Sequence, residues 1–382
     1  MTGPLAAVRG LARARRRDRQ VYVRSHPVLF ALLAAARRRP VLRLGRTVLV
    51  HDADAYREAL TRLPLDRTAE GTTGGAARSA LAATGAPEGG VLFDQDGTGH
   101  RTGRRGLAKS LGAEGVEQLR AEWRPLLERR LEPLARGGEV DLVALARELS
   151  GAVVCALLGS AASPVAVADA AADAAAASIR DELPGVRRLG ARDEVARATA
   201  RLRELLGADD AMSAMVAVAA VNTTVAAVPR AVAWCADAGL WGQAADDALL
   251  GPLTDELLRV TAPSPLLPRV AAADGVVGGC PVRPGDRLLI VARHAVDAHR
   301  DAPDARRPAA PELSHLVFGA GPHTCPGARL ARVLLADVLR ALAPYRPVVV
   351  RAVPDRRAAL PGWRTLTVRP SLRGPDHLET AR

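Results

Sequence analysis

Aromatic side chains are scarce in this chain of 382 residues, at 3% of its composition, although 48% of the residues are apolar. The core must therefore be built from Leu, Val and Ala rather than from rings. Lysine is almost missing, since Lys109 is the only one, and Arg supplies most of the positive charge behind the net value of +12. Arg and Ala enriched together indicate a genome composition bias. No segment interleaves basic with aromatic residues, which argues against nucleic-acid binding.

Paired cysteines and long apolar runs are also missing. The four cysteines, at positions 155, 235, 280 and 325, form no CxxC pair, which argues against structural zinc. No apolar run reaches the length of a membrane span. No hydrophobic segment directly follows the arginines at 15–17, as a secretory signal requires. We therefore expect a cytoplasmic protein without a membrane partner.

The order of patterns along the chain indicates a mostly helical protein. Residues 1–20 are polar and Arg-rich, and we expect a flexible arm there. Residues 71–99 are rich in glycine and are expected to form a mobile lid. Short strands are expected near residues 41–50 and 276–291, and a hairpin near 348–368. Ala, Leu and Arg recur at helical spacing in five segments: Val116–Leu134, Leu142–Leu158, Val165–Ile179, Asp193–Leu206 and Asp209–Ala238. The fold class predicted is mainly α with small β-sheets, in a single domain over residues 21–382.

The segment around Cys325 carries the most specific chemistry. Cys325 lies in a glycine-rich loop, seven residues after Phe318 and just before a long apolar helix predicted over Ala328–Ala343. A cysteine near a helix N-terminus gains from the dipole and from unpaired amides, which stabilises its thiolate. Such a thiolate is a suitable axial ligand for an iron porphyrin. The alternative for a lone cysteine is an inert thiol in the core.

This loop closely resembles the haem-binding loop of the cytochrome P450 family, whose pattern is FGxGxHxCxG. All six fixed positions are present: Phe318, Gly319, Gly321, His323, Cys325 and Gly327. The resemblance implies the triangular, mostly α cytochrome P450 fold and one haem b whose iron is bound by Cys325. It also implies that His323 points at a haem propionate, and that Phe318, Gly319 and Gly327 belong to the cofactor-binding loop.

Two further motifs support the resemblance. Glu256 and Arg259 match the family's ExxR motif, a buried pair that holds the segment leading into the haem loop, and Arg307, or its neighbour Arg306, is expected as a third partner. Considered alone, an i, i+3 pair is usually a solvated ion pair. His100 and Arg104, four residues apart on a predicted helix, match the family's propionate-binding HxxxR. Arg269 matches another propionate ligand at the start of a strand, whereas isolated residues of these types could equally be surface charges.

The segment Ala219–Thr224 lies in the long helix predicted over Asp209–Ala238. It resembles the family motif that crosses the oxygen-binding face of the haem, where an acid and a threonine relay protons. The resemblance makes Thr223, Asn222 and Thr224 the candidate catalytic residues. Thr223 fits the motif and Thr224 follows it, but Asn222 replaces the acid, and an amide does not titrate. The usual relay is therefore in doubt, and we expect Asn222→Asp to be tolerated. Without the resemblance, both threonines could simply bond back to helix carbonyls. The sequence offers no account of Pro229-Arg230.

The resemblance implies a monomeric haem-thiolate monooxygenase of the soluble bacterial type. Such an enzyme receives electrons from NAD(P)H indirectly, through ferredoxin reductase and ferredoxin, and oxidises a small organic molecule, often a secondary metabolite. Two alternatives remain. One is a haem-thiolate enzyme that couples substrates oxidatively or uses peroxide without inserting oxygen. The other is a non-catalytic haem-binding partner of another enzyme.

Overall fold

The computed structural model describes residues 4–84, 91–182, 190–207 and 211–371. The helices are α1 (Pro4–Ser25), α2 (Pro27–Ala36), α3 (Ala53–Thr61), α4 (Thr73–Ala82), α5 (Gly97–Leu111), α6 (Ala113–Ala135), α7 (Leu142–Leu158), α8 (Pro164–Glu182), α9 (Ala191–Leu206), α10 (Ala211–Ala238), α11 (Trp241–Ala244), α12 (Asp247–Thr261), α13 (Ala292–Ala295), α14 (Pro311–Ser314) and α15 (Ala328–Leu342). The strands are β1 (Val41–Leu44), β2 (Thr47–Val50), β3 (Leu65–Asp66), β4 (Val140–Asp141), β5 (Leu267–Ala271), β6 (Gly275–Val277), β7 (Cys280–Val282), β8 (Arg287–Ile290), β9 (Val348–Pro354) and β10 (Trp363–Arg369).

This content confirms the predicted class, mainly α with small sheets. The largest buried cluster joins α1, α6, α7, α10, α12 and α15. Its rings are few, with Trp123, Trp234, Trp241 and Trp363 among many Leu, Val and Ala side chains. The core is thus aliphatic, as the composition indicates.

Helix α10 passes through the centre of the helical part and packs against α1, α7 and α8. The expectation that no apolar run reaches the length of a membrane span is wrong for this helix, which by length and composition is apolar enough to cross one. It is the one such helix within the described residues. Burial on several sides explains that composition without a membrane, because a helix that is apolar all round is typical of a protein core.

Three small sheets complete the described fold. The largest has the strand order β1-β2-β8-β5-β3, and the others are the sheet β4-β10-β9 and the hairpin β6-β7. In the largest sheet β2 and β8 are parallel, with Val50 opposite Ile290. The segments that follow these two strands, beginning at His51 and Val291, therefore leave the sheet at the same edge.

The flexible arm expected at residues 1–20 is wrong for residues 4–20, which the structure forms into helix α1, while residues 1–3 lie outside the described residues. Ala14, Asp18, Val21 and Tyr22 are buried and lie on one face of that helix. The exposed arginines cover the other face. Helix α1 is therefore amphipathic, although its composition is rich in Arg. The expected lid at 71–99 contains α4 and the start of α5, and its residues 85–90 lie outside the described part of the chain.

Candidate active site

The Cys325 loop joins a short 3-10 turn, His315–Phe318, to helix α15. Its ends are closed by a 2.7 Å hydrogen bond in which the Cys325 amide donates to the Phe318 carbonyl. Gly319 and Gly321 have φ angles of 84° and 71°, in the left-handed region that favours glycine. This backbone leaves Cys325 exposed, so its thiol is available as a ligand.

The electrostatic environment of Cys325 differs from the expected one. Solvent reaches the side chain, yet the surrounding protein atoms limit hydration of the sulfur, and this desolvation raises the pKa of the thiol. A hydrogen bond from Gly327 and the charges of Arg104 and Arg332 oppose the rise without cancelling it. Coordination to a metal cation would overcome this effect, because a coordinated thiol loses its proton.

Phe318 and Arg332 hold the loop against α12. The Arg332 guanidinium lies over the Phe318 ring, 4.7 Å from its centre, and the same side chain donates to the Asp255 carboxylate. The aromatic position of the motif thus forms part of a cation–π contact. The Arg332 side chain therefore stabilises the loop through both contacts.

Helix α5 brings His100 to the loop. The His100 ring stacks on His323 with 3.8 Å between ring centres, and His323 Nε2 lies 2.9 Å from an Asp96 oxygen. Arg67 donates to the other Asp96 oxygen. Burial lowers the pKa of His323 to about 4, despite the opposing effect of Asp96. His100 is 3% exposed, and its Nε2 is buried without a hydrogen-bond partner.

Two arginines at this site lack carboxylate partners within the described residues. Arg104 donates to the Thr324 carbonyl, and Arg269 donates to the Pro268 carbonyl while its Nε remains buried and unpaired. Burial, with repulsion from Arg67, lowers the pKa of Arg269 to about 10. Unpaired buried guanidinium groups are costly. A cofactor carrying two carboxylates would relieve that cost, so these residues fit haem.

Glu256 and Arg259 lie in the interior, at 2% and 1% side-chain exposure. They form two hydrogen bonds of 2.8 and 2.7 Å, and Arg259 also donates to the Val296 and Asp301 carbonyls. The pair therefore connects α12 to the segment that follows α13. It is not the solvated surface pair that an isolated Glu–Arg spacing predicts.

The structure does not place Arg307 in this cluster. Arg307 is 89% exposed and lies 3.5 Å from Asp304, while the side chain of its neighbour Arg306 is exposed as well. The backbone amide of Ala309 instead donates to Glu256 at 3.0 Å. The irregular chain between α13 and α14 turns so that a main-chain donor fills the position expected for a guanidinium.

The middle of α10 is half-buried, unlike the turns on either side. The Asn222 amide donates to the Ala171 carbonyl at 3.3 Å and to the Val218 carbonyl at 2.8 Å, which ties α10 to α8. The Thr223 hydroxyl donates to the Ala219 carbonyl at 2.8 Å. Thr224 lies beside it, half-buried. No hydrogen bond joins these side chains to the Cys325 loop within the described residues.

Sequence reasoning missed Asp96 and Arg67, which orient His323. Asp96 is the residue before α5, at a position where an acid usually caps a helix. Its side chain makes no cap and turns to His323 instead, which no local pattern predicts. The structure also shows the role of Arg230, for which the sequence offered no account. Its side chain is fully buried and donates to Asp18.

No group of three His, Cys, Asp or Glu side chains suited to holding a metal directly occurs in the described ranges. The candidate site therefore rests on one cysteine with carboxylate-binding cations near it. That arrangement suits a metal carried inside an organic cofactor.

Comparison with known proteins agrees with this chemistry. No family model matches the chain. It is 37% identical over 130 residues to a 2-hydroxy-5-methyl-1-naphthoate 7-hydroxylase of Streptomyces carzinostaticus, and 33% identical over 120 residues to the cytochrome P-450 monooxygenase DoxA of Streptomyces peucetius subsp. caesius. These matches cover 33% and 31% of this chain, and they span only 31% and 29% of the relatives.

The likeness in fold is much longer. The crystal structure of ligand-free CYP164A2 from Mycobacterium smegmatis superposes with a TM-score of 0.70 at 23% identity, over 93% of this chain and 99% of the other. The chain thus has the cytochrome P450 fold along nearly its whole length, and about a third of it is similar in sequence to bacterial cytochrome P450 enzymes.

Proposed function

We propose that the chain is a haem-thiolate monooxygenase that oxidises a small organic molecule with O₂. The observation that carries this proposal is the exposed Cys325 thiol in a loop that Arg104 and His100 contact from α5. Arg104 and Arg269 have no acidic partner in the described chain. A thiol ligand near free donors for carboxylates matches haem b.

Different residues of the site would bind different parts of the haem. Cys325 would supply the ligand to iron, while Arg104, Arg269, His100 and His323 would hold the carboxylates. Haem bound through a thiolate supplies reductive activation of O₂. The Glu256–Arg259 pair positions the chain that leads into the loop, and the protein excludes water from the reaction.

Proton delivery is proposed to depend on Thr223 and on water. The Thr223 hydroxyl donates to a helix carbonyl, which leaves its lone pairs free to accept from a water molecule. The Asn222 amide is occupied by two carbonyl groups and hands on no proton. Protons must therefore arrive through ordered water, through a hydroxyl group of the substrate or through a different residue.

The electron donor is proposed to be an acidic ferredoxin, reduced by NAD(P)H through its reductase. Arg101, Arg105 and Lys109 are exposed on α5, the helix that also carries the loop contact of Arg104. Charges of this kind steer association and lose their effect as salt rises. Reversal of these three charges should slow reduction by the ferredoxin, whereas reversal of Arg136, exposed just after α6, should not.

The substrate is proposed to be a small organic molecule of bacterial secondary metabolism. One Streptomyces relative is named as a hydroxylase of 2-hydroxy-5-methyl-1-naphthoate, a small aromatic acid. Titration of the haem spin state across a compound library would identify it. Turnover under isotopically labelled O₂ then tests the function. A labelled oxygen atom in the product is expected, and a product without it contradicts monooxygenation.

A second candidate is oxidative coupling or peroxide-driven oxidation without oxygen insertion. The observation that favours it is Asn222, an amide where the family motif has an acid. In either case the product carries no label from O₂. Oxidative coupling still consumes O₂ and electrons from NAD(P)H, whereas in peroxide-driven oxidation hydrogen peroxide replaces O₂ as the oxidant and no NAD(P)H is consumed.

We also propose that the protein is cytoplasmic and monomeric.

A further inference from the structure

A cleft of about 150 Å³ lies apart from the Cys325 loop, at the edge of the largest sheet. Segments from the end of α2, the residues after β2, and α13 with the chain that follows it line this cleft. The volume is below that of sites for drug-sized molecules, which begin at roughly 300 Å³. It suits a small ion or the terminal group of a larger molecule.

Three histidines gather in this cleft. His51 and His294 face each other with 2.9 Å between their Nδ1 atoms, and His299 packs edge-on against His294 with 5.0 Å between ring centres. One Nδ1 of the pair must donate and the other accept, so the two rings share one proton there. His51 is 4% exposed, and its Nε2 has no partner, while His299 has a buried, unpartnered Nδ1.

The charged groups of the cleft leave an excess of positive charge. Arg37, Arg38 and Arg300 line it, against Asp52 and Asp297. Asp52 caps α3 by accepting from two backbone amides, and Asp297 lies 3.3 Å from Arg300. Arg37 and Arg38 form no ion pair within the described chain. Two exposed guanidinium groups without ion-pair partners therefore line the same cleft as the buried rings of His51 and His294 and the half-buried ring of His299.

We propose that this cleft binds a tetrahedral dianion, either inorganic phosphate or the phosphate group of a monoester. One guanidinium group can donate two parallel hydrogen bonds to two oxygens of a phosphate, and imidazole N–H groups add further donors. The N-terminus of α3 contributes no donor, because the Asp52 carboxylate already accepts from its Asp54 and Ala55 amides.

The bound anion would change the protonation of the histidines. Burial, with repulsion from neighbouring cations, lowers the pKa of His294 to about 3 and of His299 to about 4. A bound dianion offsets the repulsion from the cations and attracts the charged imidazolium form, so binding takes up a proton and strengthens as the pH falls. The charged groups that act on these rings, besides one another, are Arg37, Asp52, Arg293, Arg300 and Asp301.

The cleft is linked to the interior. The segment from α13 to residue 301 carries His294 and His299, and it also provides the Val296 and Asp301 carbonyls that accept from Arg259. An anion that fixes this segment should stabilise the folded state, because a ligand that binds only the native form raises the unfolding midpoint.

Isothermal titration of the full-length holoprotein with sodium sulfate tests the proposal, with sodium chloride keeping the ionic strength constant. Sulfate serves as the probe because its charge does not change near neutral pH. One saturable site is expected, and affinity should rise as the pH falls from about 8 to about 6. Arg37→Gln and Arg38→Gln should each weaken binding by about tenfold. Arg39→Gln is the matched control, since Arg39 is exposed beside them but does not line the cleft.

His299→Gln should reduce the pH dependence of binding. Inorganic phosphate and glycerol 1-phosphate are then compared, and preference for the monoester assigns the phosphate group of a larger molecule, whereas equal or weaker monoester binding assigns the free ion. Sulfate also stabilises proteins without binding them, so the rise in unfolding midpoint must exceed that of the Arg37→Gln variant. The absence of a saturable site, or an equal loss in Arg39→Gln, would overturn the proposal.

Discussion

Arg230 and Asp18 form an ion pair in the interior, with 2.7 Å between their atoms and side-chain exposures of 1% and 3%. The pair ties α10 to α1, and Tyr22 accepts from Arg230 while donating to the Thr261 carbonyl at 2.9 Å. A second cation, Arg293, lies 2.9 Å from Asp18. The N-terminal helix is therefore fastened to the centre of the fold by buried charges.

Removing Asp18 should destabilise the protein strongly. Asp18→Ala leaves Arg230 charged, buried and unpaired, and the expected loss is about 3–5 kcal/mol in the free energy of unfolding. Denaturant unfolding of the variant measures it. Asp54→Ala, which removes the exposed Arg57–Asp54 pair, is the control and should cost about 1 kcal/mol or less. Equal effects of the two substitutions would show that the interior pair is not special.

The buried pair near the Cys325 loop gives a sharper contrast. Arg259→Ala should cost about 3–5 kcal/mol and release haem, because Glu256 is left as an uncompensated buried charge. Arg307→Ala should change stability by about 0.5 kcal/mol or less, since that side chain is exposed. Unfolding curves and haem content of both variants decide the matter. A large loss in Arg307→Ala would restore it as a partner of the pair.

Stability should fall in mild acid. The folded-state pKa values of His294 and His299, about 3 and about 4, lie below the ordinary value of 6.5. The unfolded chain then binds more protons, so the free energy of unfolding decreases as the pH drops from 6.5 towards 4. Denaturant unfolding across this range measures the slope. His299→Gln should flatten it, and an unchanged slope would contradict the assignment.

Asn222→Asp should be less tolerated than the sequence suggests. The Asn222 amide donates to two carbonyl oxygens, and a carboxylate would repel both. A loss of about 1–3 kcal/mol is expected at neutral pH, and part of it should return in acid, where the carboxyl group can donate one hydrogen bond. Unfolding at two pH values tests this. Full stability at neutral pH would show that the amide bonds contribute little.

Thr223→Ala should uncouple electron use from product formation. Loss of the hydroxyl removes an anchor for water in α10, so more NAD(P)H is consumed and more hydrogen peroxide released per product molecule. Thr224→Ala is measured beside it and should change the ratio less, and an equal change would give Thr224 a share in proton delivery. The product to NAD(P)H ratio is the measurement, and an unchanged ratio in Thr223→Ala would favour the non-inserting alternative.

The sequence predicts helices and strands better than it predicts contacts between residues that are distant in the chain. Helix α7 appears at its predicted bounds because its apolar period is unbroken. Helix α1 escaped prediction, since its buried stripe includes Asp18, whose partner Arg230 is distant in sequence. The ExxR pair is local and readable, whereas the Ala309 amide that completes it depends on the path of an irregular segment. His323 was readable from the motif, but Asp96 and Arg67 were not, because only the fold brings them together.

The carbon monoxide spectrum of the reduced protein tests the central claim most directly. Cys325→Ser should abolish the thiolate-type band, because no other described cysteine lies in the loop. Cys280→Ser, which alters a half-buried thiol on the β6–β7 hairpin, should leave the band intact. A thiolate-type band that survives in Cys325→Ser would contradict the assignment of Cys325 as the ligand to iron.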